Sequence, residues 1–411
     1  MALTDNQKKA VESRGVNILV SASAGSGKTT AMVSRIVSLI SGGASLEKML
    51  IITFTKAAAS DMRDKIGKAI IEMRDKDERF DRELRILPSA KIGTIDSWCG
   101  ATVKNYFYAV DTDADYDLIG DGEKHALCDA AVDALVTESI ENDPDFREIY
   151  ESFVVNRRDG MFKNFIYDVI EFAKTRVDPY EWLAHAADFY GNDSIAREVE
   201  NYYKKKADRA LSELENLKEC AKAVKYEKLA VHCDDIYSDF LNERKFTRFS
   251  GSDKNYPDLN DRAAKIKEKL KTLSELKAQR QKYGDMTEIG KQVKAAADFS
   301  ARVYDYLQKD RKRRAVADYG DLEHAALDIL RSDVGDEIRS ECEYVFVDEY
   351  QDVNPLQDAL IRAAVGKYLF IVGDVKQSIY AFRMSDPDIF LEKMNEPESN
   401  GFGKSIEFSE N

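Results

Sequence analysis

The chain has 411 residues, 44% of them hydrophobic, which is enough apolar material for more than one packed core. Its 61 Lys and Arg against 75 Asp and Glu leave a formal charge of −14, which excludes a protein that coats polyanions with a general basic surface. Nucleic acid would have to be met in a local groove. No run approaches the roughly 18 apolar residues of a membrane span, and Met1-Ala2-Leu3-Thr4-Asp5 lacks the basic and apolar regions of a secretion signal. Cys99, Cys128, Cys220, Cys233 and Cys342 are scattered without a C-x-x-C spacing, and His125, His232 and His324 show no ligand spacing. A cytoplasmic protein with reduced thiols, no membrane partner and no structural metal is expected.

In chain order, Val16 to Val20 reads as a buried strand and Met32, Val33, Ile36, Val37 and Ile40 as one face of a helix. Between them lies Ala22-Ser23-Ala24-Gly25-Ser26-Gly27-Lys28-Thr29-Thr30. A strand that feeds a glycine-rich turn and opens a helix aims successive backbone N–H groups at one point, which suits a polyanion. The spacing fits G-x-x-x-x-G-K-[ST] with Ala22 in place of the first Gly, so Ala24 to Thr30 are expected to cradle the phosphates of ATP. Lys28 would reach the β- and γ-phosphates, and Thr29 would ligate Mg²⁺.

Met49 to Ile52 reads as a second strand, Ala57 to Arg74 as a long helix, and Ile92 to Ile95 as a short strand. The alternation implies a mostly parallel sheet flanked by helices. From about 105 to 315 the sequence turns charged and helical. Leu211, Leu214, Leu217, Ala221 and Val224 recur at helical spacing, as do Ile266, Leu270, Leu273 and Leu276, with a loop from Phe249 to Pro257 between the two patterns. The mixture of charge and rings in Lys245-Phe246-Thr247-Arg248-Phe249 reads as a solvated edge.

Strand grammar returns in Tyr344 to Val347 and Tyr368 to Val372, each closing on acidic residues. The expected organisation is an α/β domain in two parts, 1–104 and 316–411, interrupted by an all-helical insertion at 105–315. Three consecutive domains would leave the last strands short of partners. Asp348 and Glu349, at the tip of the Tyr344 strand, supply what a phosphate-binding loop lacks. Asp348 would hold the Mg²⁺ shell, and Glu349 would orient and deprotonate the attacking water. Gly373 to Arg383 follows the next strand and should lie in the same crevice. Gln377 could bond a γ-phosphate or the water, while Tyr380 and Arg383 offer aromatic and cationic surfaces to bases; Phe382 suits core packing equally well.

With these segments in order, the chain resembles superfamily 1 DNA helicases of the UvrD/Rep type, and most resembles the AddA and RecB branch of helicase–nuclease subunits. Leu3-Thr4-Asp5-Asn6-Gln7 is similar to the segment whose Gln reads the adenine edge, which implies that role for Gln7. Ile52-Thr53-Phe54-Thr55-Lys56-Ala57-Ala58-Ala59 and Gly93-Thr94-Ile95-Asp96-Ser97-Trp98-Cys99 resemble elements that grip single-stranded DNA, implying contacts from Thr53, Phe54, Thr55 and Thr94. Asp96 stands where the family carries His, and Trp98 where it carries Phe. Asp318-Tyr319-Gly320-Asp321-Leu322 resembles the short motif ahead of the acidic strand, and Asp348-Glu349-Tyr350-Gln351-Asp352 and Gly373 to Arg383 resemble the acidic-box and coupling motifs.

The resemblance implies a RecA-like P-loop fold, 3′-to-5′ translocation on single-stranded or duplex DNA, and a partner in the form of a second helicase–nuclease subunit. In that family a stretch like Ile406 to Phe408 leads into Asn-Phe-Arg-Ser and then a second motor domain, both carrying arginines that touch the γ-phosphate. The chain stops at Asn411, so on its own it is expected to bind ATP without efficient hydrolysis or unwinding. Two other readings stay open at this point: a nucleotide-dependent scaffold component of a repair complex, and a P-loop ATPase that acts on something other than DNA.

Overall fold

The structure, a computed structural model, describes residues 3–23, 25–74, 77, 79–110, 115–154, 158–188, 190, 193–249, 252–282, 286–375, 384–395 and 401–408. The chain divides into two compact units, Met1–Leu183 with Asp298–Asn411, and Ala184–Ala297. The smaller unit lies inside the helical 105–315 stretch.

The larger unit is built on six parallel strands: β1 (Ile18–Ala22), β2 (Met49–Ile52), β3 (Lys91–Gly93), β6 (Tyr344–Val347), β7 (Tyr368–Gly373) and β8 (Lys404–Phe408), in the order β3-β2-β6-β7-β1-β8. A separate two-residue pairing joins β4 (Asp117–Leu118) to β5 (Val316–Ala317). Alternate residues of each strand enter opposite layers. Leu19, Leu50, Ile52, Val345, Val347 and Ile371 pack in one core, and Ile18, Val20, Ile51, Phe346, Phe370 and Val372 in the other. With helices covering both faces, each strand must be apolar throughout, which is why these segments read as unbroken hydrophobic runs.

Two strands sit slightly off their expected positions, each for a polar reason. β1 begins at Ile18 because the Asn17 side chain takes over the edge: its Oδ1 accepts from the Leu369 amide at 2.8 Å and its Nδ2 donates to the Gly401 carbonyl at 2.9 Å. β3 ends at Gly93 because Thr94 turns out of the strand to cap the helix Ile95–Tyr106, its Oγ1 accepting from the Ser97 amide.

In the unit Ala184–Ala297, the helices Asp193–Ala223, Glu227–Leu241 and Pro257–Lys282 enclose Leu214, Leu217, Leu229, Cys233, Ile236, Ile266 and Leu270. The middle helix is not among those expected from sequence spacing. Val224, expected on the buried face, is exposed, because the helix ends at Ala223 and Lys225 turns left-handed at φ +59°.

Candidate nucleotide site

β1 runs into the glycine-rich turn, and the helix Lys28–Ser41 starts immediately after it. Gly25 and Gly27 both adopt positive φ, +77° and +81°, where a side chain would be strained. Gly27 is the N-cap, and no side chain caps this helix, so its first amides are left for an external acceptor. Ser26 closes the loop on itself: its amide and its Oγ both donate to the Ser23 carbonyl, at 3.2 and 2.6 Å. An uncapped helix start of fourteen residues, reached through two left-handed glycines, fits a bound phosphate chain. Ala24 lies outside the described residues, while Thr29 and Thr30 sit in the first turn of the helix.

Gln7 is buried against this loop. Its Nε2 donates to the Ser26 carbonyl at 2.8 Å, and its Oε1 accepts from the Thr4 amide at 2.9 Å in a reciprocal capping box. A Cβ on Gly27 would come within 2.7 Å of that Nε2, so the glycine is required by contact as well as by φ. The side-chain amide of Gln7 therefore fastens the N-terminal helix Asp5–Glu12 to the loop whatever else it touches.

The acidic tip of β6 faces the same loop. Lys28 Nζ lies 3.4 Å from Glu349 Oε2. The Asp348 amide donates to the Ile52 carbonyl of β2 at 3.0 Å, and Asp348 Oδ1 accepts from the Glu349 amide at 3.0 Å. Glu349 itself is left-handed, at φ +53° and ψ +45°, a conformation that costs a residue with a Cβ of the order of 1–3 kcal/mol. Burial pushes the Asp348 carboxyl up to about 6, with the Glu349 charge adding to the effect. Two crowded carboxylates beside an open helix start favour a divalent cation bridging to phosphate, so the donor set of Thr29 and Asp348 fits Mg²⁺.

Gln351 joins the two strand ends. It is fully buried, its Nε2 donates to Glu349 Oε2 at 2.9 Å and Asp352 Oδ2 at 3.1 Å, and its Oε1 accepts from the Asp374 amide at 2.9 Å, just beyond β7. Gln377, Tyr380 and Arg383 lie outside the described residues.

A cavity of about 180 Å³ opens at the carboxyl ends of β2, β3 and β6, lined by Thr53, Phe54, Thr94, Asp96, Asp348 and Glu349 among others. The residues expected to touch DNA thus share walls with the carboxylates expected to act on the nucleotide. Thr53 is buried, its amide donating to the Gly93 carbonyl at 2.9 Å and its hydroxyl to the Thr55 carbonyl at 3.2 Å. Thr55 lies outside the cavity lining, and its hydroxyl accepts from the Ala58 amide at 3.1 Å at the start of the helix Lys56–Arg74. Trp98 belongs to the core beside Leu322 and Ala326. A larger cavity of about 290 Å³, beside Tyr116, Gln308 and Arg311, includes none of these site residues.

Beneath the wall, Gln357 Nε2 donates to Glu323 Oε1 at 2.8 Å. Burial, reinforced by Asp96, pushes the Glu323 carboxyl up to about 8, so it is largely neutral at pH 7. The Asp318 to Leu322 segment forms a buried ionic knot. Lys174 Nζ lies 2.6 Å from Asp318 Oδ1, and Arg311 Nη1 reaches Asp318 Oδ2 at 2.9 Å and Asp321 Oδ2 at 2.8 Å. Burial pushes the Asp318 carboxyl up, but Lys174 and Arg311 outweigh it and hold the group below the usual carboxylate range. Sequence reading misses Gln351, Glu323, Lys174 and Arg311. Of these, only Gln351 carries a signal, by standing two places after the acidic pair.

The UvrD/REP helicase N-terminal domain model matches residues 3–398. The chain is 32% identical over 455 residues to an AddA-type ATP-dependent helicase/nuclease subunit of Pediococcus pentosaceus, covering 96% of this chain and 36% of that protein. It is 29% identical to the proteins of the same name from Latilactobacillus sakei subsp. sakei, with 96% and 51% coverage, and Listeria monocytogenes serotype 4b, with 99% and 38%. The chain therefore spans about a third to a half of the length of these relatives. With the parallel sheet, the uncapped glycine-rich turn and the acidic tip of β6 in place, this match over nearly the whole sequence identifies the chain as a member of the UvrD/REP helicase N-terminal domain family.

Proposed function

We propose that this chain is the nucleotide-binding part of an ATP-dependent DNA helicase that works 3′ to 5′ on single-stranded DNA in repair and recombination. The observation that carries the proposal is the 3.4 Å approach of Lys28 to Glu349, which joins an uncapped helix start to an acidic strand end. The names of the relatives support a helicase–nuclease assembly in which a second subunit is the partner. The two sheet-forming stretches, 1–104 and 316–411, serve as the first motor domain, with 105–315 inserted in it.

In this reading the amides of Gly25 to Thr30 hold the phosphates and Gln7 meets the adenine edge. Lys28 exchanges the Glu349 carboxylate for the β- and γ-phosphates, which leaves Glu349 free to accept a proton from the attacking water. Thr29 and Asp348 hold Mg²⁺, which when bound neutralises phosphate charge. Gln377 senses the γ-phosphate. Thr53, Phe54, Thr55, Thr94, Tyr380 and Arg383 meet the DNA, rings stacking on bases and hydroxyls reaching phosphates.

The test is ATP turnover by the full-length protein with Mg²⁺, with and without single-stranded DNA, beside Lys28→Ala. Turnover should rise with DNA, and Lys28→Ala should lower it by about 10²-fold or more, as removal of a charge stabiliser at the transferring phosphate does. Turnover that ignores DNA, or that survives in Lys28→Ala, overturns the proposal.

A further inference from the structure

We infer that Gln351 is a positioning residue for ATP hydrolysis: it holds the Glu349 carboxylate for proton transfer and ties it to the backbone at the end of β7. The inference rests on the reading of this site as an ATPase, and deepens it.

The first support is how completely the side chain is committed. Gln351 is 1% exposed, and its amide oxygen and nitrogen together meet three partners, the Asp374 amide, Glu349 Oε2 and Asp352 Oδ2. Only one orientation of the amide works. Reversed, it would turn its oxygen on two carboxylates and its NH₂ on a backbone N–H. A glutamine in this place is matched to acceptors on one side and a donor on the other, which an apolar residue of the same volume could not be.

The second support is what happens to Glu349 when nucleotide arrives. Its Oε2 has two partners among the described residues, Lys28 at 3.4 Å and Gln351 at 2.9 Å. Phosphate draws Lys28 away, and Gln351 is then the group that keeps the carboxylate in place. The left-handed backbone of Glu349 sets where its side chain starts, and the Gln351 N–H sets where it ends. A general base must stand within hydrogen-bond reach of its proton donor, so a wandering carboxylate lowers turnover without lowering affinity for nucleotide.

The third support is the tightness of the connection to β7. A Cβ on Gly373 would lie 2.9 Å from Gln351 Oε1 and 2.9 Å from Phe390 Cζ, so the strand end presses directly on the amide. A shift of the Asp374 amide is passed to Gln351, and from it to the Glu349 carboxylate. The β7 end and the base therefore move together.

The experiment uses the full-length protein, comparing wild type with Gln351→Met, which keeps the length and loses the donors, and Gln351→Glu, which keeps the shape. Affinity for a fluorescent ATP analogue, KM, kcat with single-stranded DNA and thermal unfolding are measured on each. Loss of a group that orients a reacting one should lower kcat by about 10- to 100-fold while analogue affinity stays within about 3-fold. Because Gln351 acts through Glu349, adding Gln351→Met to Glu349→Gln should lower kcat no further. A kcat retained in a folded Gln351 variant, a fall explained by lost affinity, or an additive double variant overturns the inference. If Gln351→Met does not fold, Gln351→Glu decides; if neither folds, the residue serves the fold alone and the inference is wrong. Wild type without DNA-stimulated turnover would instead defeat the ATPase reading, and this inference with it.

Discussion

The carboxyl ends of β2, β3 and β6 and the helical unit Ala184–Ala297 handle charge in opposite ways. At the strand ends acids are buried and crowded: Asp348 is pushed up to about 6 and, beneath the cavity wall, Glu323 to about 8, while Glu349 sits on a strained backbone. In the helical unit the core is apolar, and charge stays at the surface in pairs such as Lys269–Glu213 at 2.8 Å and Lys265–Asp261 at 2.7 Å. A fold has no need of the first arrangement. Acids are kept in such places when chemistry or a tightly specified geometry needs them, and the cost is met by packing elsewhere.

The contrast breaks most readily at the Lys174–Asp318–Arg311 knot. Lys174 is buried with its partners, so Lys174→Met strands the charges of Asp318 and Asp321 beside a single Arg311. Removing one partner from a buried ionic group costs about 3–5 kcal/mol, and urea unfolding should register that loss. A change below about 1 kcal/mol would mean that the knot is solvated in solution and is no different from a surface pair.

Glu323 sharpens the contrast through pH. Its carboxyl is raised in the folded chain, so its contribution to stability is fully present below the ordinary glutamate pKa of about 4.3. It is lost as pH rises through about 8, where the buried group must ionise next to Asp96. Glu323→Gln keeps an acceptor for Gln357 and cannot ionise. Relative to wild type it should gain stability above pH 8, by roughly 1 kcal/mol at pH 9, read from denaturant midpoints across the pH range. Parallel pH profiles for the two proteins would show that Glu323 is already ionised at neutral pH.

The same contrast explains what the sequence discloses. The glycine-rich turn, the β strands and Asp348-Glu349 are legible because each is a run of neighbouring residues whose spacing carries its chemistry. The mostly parallel sheet follows from apolar runs alternating with helical ones, since each strand is covered on both faces. What stays hidden depends on residues far apart in the chain: Lys174 with Asp318, Glu323 with Gln357, Gln351 with Asp374. Gln351 stands in plain sight within the acidic motif, but its partner is visible only once β7 is known to lie beside β6. Val224 misleads for a local reason, since hydrophobic spacing continues one residue past a helix that has already ended.

The smallest effect is expected on the other side of the comparison. Lys269 reaches Glu213 at 2.8 Å from a half-exposed position and holds that carboxyl below the usual range. The pair gains little, because solvent screens it and two long side chains must be fixed to form it. Lys269→Ala should therefore change unfolding stability by no more than about 1 kcal/mol, and by less as salt is raised. A loss comparable with that of Lys174→Met would erase the contrast. It would show that the helical unit relies on specific charge pairs as the strand ends do, and that buried charge alone does not mark the site.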